Sequence, residues 1–159
     1  IIAFQVEGIE KKFKTYKPKS CRVNKLTSMK ISSVEVAIRK SSLKNKNLQF
    51  NELFGSGSIY KMGEENIFLF NCLDNGLKIR YVPIKIANLH MADSTWFTGF
   101  NEKYFFDRGA TYYEMFGILC DFLILQFIFR KRKILEISMY KAWKCALKGK
   151  LDYIERKRR

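Results

Sequence analysis

The chain has 159 residues, 15% of them aromatic and only two of them proline, which suits one domain with a packed core and excludes a disordered tail. Its formal charge of +15 is unevenly divided: residues 1–50 hold 12 Lys/Arg against 3 Asp/Glu, 51–110 hold 6 against 7, and 111–159 hold 12 against 5. Basic flanks favour a nucleic acid or an anionic membrane surface, and the near-neutral centre gathers the carboxylates that acid–base chemistry needs. Cys21, Cys72, Cys120 and Cys145 form no close pair, so they read as reduced thiols, and the single His90 excludes a histidine-rich zinc site.

The sequence opens on Ile1 in mid-pattern, as a piece of a longer protein would, and residues 1–7 predict a strand. Residues 8–20 are a polar, basic loop. Val34–Arg39 alternates apolar with polar and predicts a second strand; Ser41–Lys46 predicts one helical turn, and Leu48–Phe50 a short extended piece. A glycine-bearing loop, 54–63, leads into a helix from Glu64 to Asp74, which Asn75-Gly76 closes in the left-handed manner. Leu77–Val82 predicts a strand that Pro83 interrupts and Ile84–Leu89 continues at a sheet edge. After the loop 90–100 the pattern is helical to the end, punctuated by Arg130-Lys131-Arg132-Lys133.

Five places bear chemistry-capable residues. Glu64 and Glu65 open a helix, where the N-terminal partial charge favours ionised carboxylates, and one of them facing a cleft can take a proton from a hydroxyl; equally, acids in a first turn stabilise any helix. Gly55-x-Gly57 lacks a third glycine, since Tyr60 stands there, and an acidic pair follows, so it is no phosphate cradle; loop mobility beside a site, or a plain turn, suits it better. His90 and Trp96 lie in one loop and offer a metal ligand and a stacking wall, although a lone histidine is commonly structural. Lys103 and Arg108 are placed to hold a pyrophosphate, or else Arg108 pairs with Asp107 on a solvated helix start. Ile118–Phe129 is too short to span a bilayer, which takes roughly 20 residues; it suits either a core helix or one lying in a membrane interface, its basic run on the headgroups.

The order and spacing of Phe50-Asn51-Glu52-Leu53-Phe54-Gly55, Gly63-Glu64-Glu65-Asn66-Ile67-Phe68-Leu69, Gly76 through Pro83, His90 and Ser94-Thr95-Trp96 resemble the C-terminal region of family 2 glycosyltransferases of polysaccharide and capsule assembly. The resemblance covers residues 1–117 and implies an α/β fold, the acceptor-side C-terminal portion of a Rossmann-like GT-A domain, with 118–159 as a basic helical tail at a membrane. It puts the catalytic base on Glu65, where the family usually carries Asp, with Glu64 orienting the acceptor or the loop. Gly57, Tyr60, Trp96, Lys103 and Arg108 fall on the substrate side, and His90 on the metal or donor side. It further implies a divalent metal, Mg or Mn, a nucleotide-sugar donor, a saccharide or lipid-linked acceptor, and a location on the cytoplasmic face of the plasma membrane. The D-x-D metal motif is absent from the chain, so the 159 residues alone are expected to be inactive. A different reading, a basic nucleic-acid-binding or membrane-surface module without catalysis, rests on the charge and the aromatic content; no reader motif accompanies it.

Overall fold

The structure is a computed structural model that describes residues 1–44, 46–91 and 97–158. It is mixed α/β, with four strands and six α-helices among the described residues: β1 (Ile2–Gly8), β2 (Cys21–Val23), α1 (Lys25–Ser28), β3 (Val36–Ala37), α2 (Lys40–Leu43), α3 (Glu64–Asp74), β4 (Ile79–Leu89), α4 (Glu102–Phe116), α5 (Cys120–Lys131) and α6 (Met139–Arg158). These elements gather into two compact units, Ile1–Phe50 with Phe68–Thr95, and Asn51–Ile67 with Trp96–Arg159.

The first unit holds the sheet, in the order β2-β4-β1-β3. β1 and β4 run parallel, while β2 and β3 pair antiparallel at the flanks. β1 and β4 pair Ala3 with Tyr81 but Gln5 with Lys85, so β4 carries extra residues around Pro83. A proline has no N–H for the ladder, and a bulge is where a strand tolerates that lack. β2 meets Ile79–Tyr81, so among the described residues Ile84–Leu89 pairs on one side alone, the edge position expected of it.

One face of α3 supplies Phe68, Leu69 and Cys72 to a core with Ala3, Val23, Ile79 and Tyr81, and Phe50 stacks on Phe68 at 4.3 Å. The helix ends where Gly76 takes φ 76°, with Leu77 N–H bonded to Cys72 O at 2.9 Å and Gly76 N–H to Leu73 O at 3.1 Å. Those two bonds satisfy carbonyls that the helix end leaves orphaned. The expected strand 34–39 is shorter than its alternation suggests. Ser33–Glu35 is a 3-10 turn and only Val36–Ala37 is strand, because the Glu35 carboxylate turns back to accept Ser32 N–H at 2.7 Å. Glu35 is 2% exposed and ion-paired with Lys14 of the basic loop.

The second unit is built on α4 and α6. A Cβ at Gly109 would lie 1.9 Å from Ala146 O, and one at Gly149 would lie 1.8 Å from Phe106 O. The two helices therefore cross backbone to backbone, with Ala110, Ala142 and Ala146 fully buried alongside. Asn101 caps α4 by accepting Tyr104 N–H at 3.0 Å, and Gly117, at φ 55°, turns the chain into α5.

Candidate functional site

The glycine-bearing loop first closes on itself. Gly55 N–H donates to Tyr60 O at 2.8 Å, Tyr60 N–H to Leu53 O at 3.0 Å, and Ser58 N–H to Gly55 O at 3.1 Å. Gly55 and Gly57 take φ of 113° and 85°, a region that side chains rarely enter. Phe54 and Tyr60 then pack with Tyr153 of α6, at ring separations of 5.0 to 5.7 Å.

The loop is next pinned to the helices at five successive residues. Ile59 O accepts from Lys103 Nζ at 2.9 Å. The Tyr60 hydroxyl donates to Asp152 Oδ2 at 2.6 Å. Lys61 N–H reaches Asp107 Oδ2 at 3.3 Å. Met62 O accepts from Thr111 Oγ1 at 3.3 Å, and Gly63 lies so close to Thr111 that a Cβ there would meet its methyl at 2.4 Å. Asp107, 2% exposed, is neutralised by Lys103 one turn earlier on α4. Asp107 thus pairs with Lys103 and not with Arg108, its alternative partner in the sequence, because a helix sets neighbours 100° apart and brings i and i+4 together.

α3 starts on this fixed loop, with Ile67 N–H bonded to Gly63 O at 2.8 Å. Glu64 folds back over the loop: its Oε2 occupies the place a Gly55 Cβ would take, 1.4 Å from it. Glu65 follows about 100° further round the helix, half-buried. Glu64 and Glu65 thus open a helix on a loop anchored residue by residue, a place where ionised carboxylates are favoured and can accept protons.

The other residues singled out by sequence are distributed as follows. Tyr60 is fully buried, and burial, aided by the neighbouring Asp152, pushes its phenol well above the usual range, so it stays neutral. The hydrogen bond from Arg156 holds the Asp152 carboxyl below its usual value against the opposing effect of burial. Arg108 lies with its guanidinium over Tyr104, Tyr112 and Phe127 at 4.9, 5.1 and 4.7 Å, and donates to the Tyr104 and Tyr112 hydroxyls. Lys103 and Arg108 are therefore both engaged within the helical unit. Gly57 has open space around it. Trp96 lies outside the described residues.

His90 belongs to the sheet unit, at the end of β4, where its Nδ1 is 2.8 Å from Glu10 Oε1. Glu10 also accepts Met91 N–H at 2.6 Å, and these two bonds, the backbone one first, draw its carboxyl down to about 2. Among the described residues no three His, Cys, Asp or Glu side chains converge as metal ligands. One imidazole and one carboxylate do not complete a divalent-ion shell.

Thr111 and Asp152 are the residues that sequence reasoning missed, and it considered Asp107 only as a partner of Arg108. Asp107 carried a local signal in its i, i+4 spacing from Lys103. Thr111 and Asp152 meet the loop across 49 and 92 residues and carried none.

Comparison of the chain with protein-family models, curated proteins and solved structures gives no match. What fold and site define directly is a mixed α/β chain with a helix-borne carboxylate pair on a pinned loop.

Proposed function

We propose that the chain is the acceptor-side portion of a family 2-type, GT-A glycosyltransferase, with Glu65 as the base. The observation that carries the reading is the turn Gly63-Glu64-Glu65, which follows a loop tied to α4 at Lys61 and Met62 and to α6 at Tyr60, with Gly63 against Thr111 and Glu64 lying on Gly55. A second support is the parallel pairing of β1 with β4 and the passage into β4 through α3, an α/β arrangement compatible with that fold. Glu65 accepts the proton of an acceptor hydroxyl as its oxygen attacks the anomeric carbon of the donor sugar. The bond to the nucleotide diphosphate breaks, and the diphosphate leaves with that electron pair. Glu64, lying on Gly55, fixes the loop beside the acceptor. The D-x-D motif that the donor side of such an enzyme carries is not among these 159 residues.

The test is sugar transfer by the full-length gene product with Glu65→Gln. Loss of a positioned general base lowers kcat by roughly 10²- to 10⁴-fold. The 159-residue chain alone is expected to show none. Wild-type kcat in Glu65→Gln, or robust transfer by the isolated chain, overturns the assignment.

A further inference from the structure

Within the helical unit, α5 is apolar on both sides. Its inner side, Cys120, Ile124, Phe127 and Ile128, is buried against the unit. Its outer side and the Gly117 corner before it are exposed among the described residues. Ile118 is 90% exposed, Leu119 62%, Phe122 71%, Leu125 49% and Phe129 59%. At 100° per residue, Phe122, Leu125 and Phe129 fall within one narrow arc of the helix. Isolated exposed apolar residues are ordinary on soluble proteins, but a continuous strip of this kind marks an interaction surface.

The charge at the end of that strip selects its occupant. Arg130, Arg132 and Lys133 are exposed immediately after Phe129, and the Arg132 guanidinium stands over the Phe129 ring at 4.5 Å. From residue 111 onward the chain carries 12 Lys/Arg against 5 Asp/Glu. An apolar strip rimmed by cations matches the boundary between acyl chains and anionic headgroups. A second copy would bring another strongly cationic surface to the same place.

We infer that the outer face of α5, with the Gly117 corner before it, lies in the interface of an anionic lipid bilayer. Ile118, Leu119, Phe122, Leu125 and Phe129 enter the acyl boundary, and Arg130, Arg132 and Lys133 meet the headgroups. Glu102–Lys131 taken as one stretch is long and apolar enough to cross a bilayer by length and composition. Crossing would nevertheless carry Glu114 and Asp121, each ion-paired to α6, into hydrocarbon and strip α4 from α6, so the helix lies on the membrane and does not traverse it. The inference is independent of the transferase reading, because binding to lipid needs no catalysis.

Flotation of the intact chain with vesicles of phosphatidylcholine plus phosphatidylglycerol, and with phosphatidylcholine alone, tests it. The chain is expected to float with the anionic vesicles and far less with the neutral ones. Phe122→Ser/Phe129→Ser, at exposed positions and checked for an unchanged circular dichroism melt, is expected to bind at least about tenfold more weakly. Arg130→Gln/Arg132→Gln/Lys133→Gln supplies a second variant and is expected to weaken binding at low salt. Failure of the wild type to float overturns the inference. So does undiminished flotation of the folded Phe122→Ser/Phe129→Ser chain, which makes attraction a matter of bulk charge. A dimer in sedimentation that dissolves in that variant, without lipid binding, overturns it in favour of a second copy on the strip.

Discussion

Gly109→Ala tests the backbone-to-backbone crossing of α4 and α6. The added Cβ would stand 1.9 Å from Ala146 O, 2.7 Å from its carbonyl carbon and 2.9 Å from its Cα, whereas real Cβ atoms stay 3.0 Å or more from their neighbours. The obstacle is main chain, so no rotamer change relieves it; one helix must retreat by 1.1 Å, the difference between 3.0 and 1.9 Å. Overpacking of a tight interior costs about 1–3 kcal/mol. Alanine regains about 1 kcal/mol over glycine inside a helix. Here the retreat also loosens Ala110, Ala142 and Ala146, all fully buried, so the upper part of the range applies and the net loss is about 2 kcal/mol. At roughly 2–4 °C per kcal/mol for a chain of this size, Tm falls by about 4–8 °C. Circular dichroism at 222 nm through thermal and urea unfolding reads the change. A Gly109→Ala chain as stable as wild type, or more stable, would show that the helices are further apart than described and refute the reasoning.

Asp107→Ala removes the acceptor for Lys61 N–H and the counter-ion of Lys103, and is expected to cost about 2–3 kcal/mol in urea unfolding while loosening the turn that bears Glu64 and Glu65. Tyr60→Phe deletes only the hydrogen bond to Asp152 and is expected to cost about 1 kcal/mol by the same assay. The Asp152 carboxyl is held below its ordinary value of 3.8, so its contribution is full above that pH and is lost as pH falls through the lowered value; an acid titration of stability is expected to show this limb, and Asp152→Asn to flatten it. Burial pushes the Cys72 thiol up to about 11 and the Cys120 thiol up to about 12, so at pH 8 a thiol reagent is expected to label only the half-exposed Cys21 and Cys145 until the chain is unfolded.

Several elements were legible because their signals are local. Glu64–Asp74 is bounded by a glycine loop before it and Asn75-Gly76 after it, and both bounds follow from the backbone freedom of glycine. The helical stretch after Asn101 shows in its periodicity, and its cap in Asn101 itself. The shortened third strand also had a local signal, since Ser32 and Glu35 stand at capping-box spacing, which the reading from alternation did not use.

What tertiary structure decided is how the carboxylate turn is held. Lys103 and Arg108 suggest anion binding by residue type, and only the folded unit sets one on Asp107 and Ile59 and the other among three aromatic rings. Tyr60 suggests a substrate wall, and only the fold buries it and ties its hydroxyl to Asp152. Gly109 and Gly149 look like weak points of two helices until α4 and α6 touch there. Sequence by itself determined β1, α3, β4 and the helical stretch after Asn101, because caps, turns and alternation act over a few residues, whereas β2 and α1 were not read from it. The partners of those elements lie up to 102 residues away, and that distance is bridged only by the packing of the whole unit.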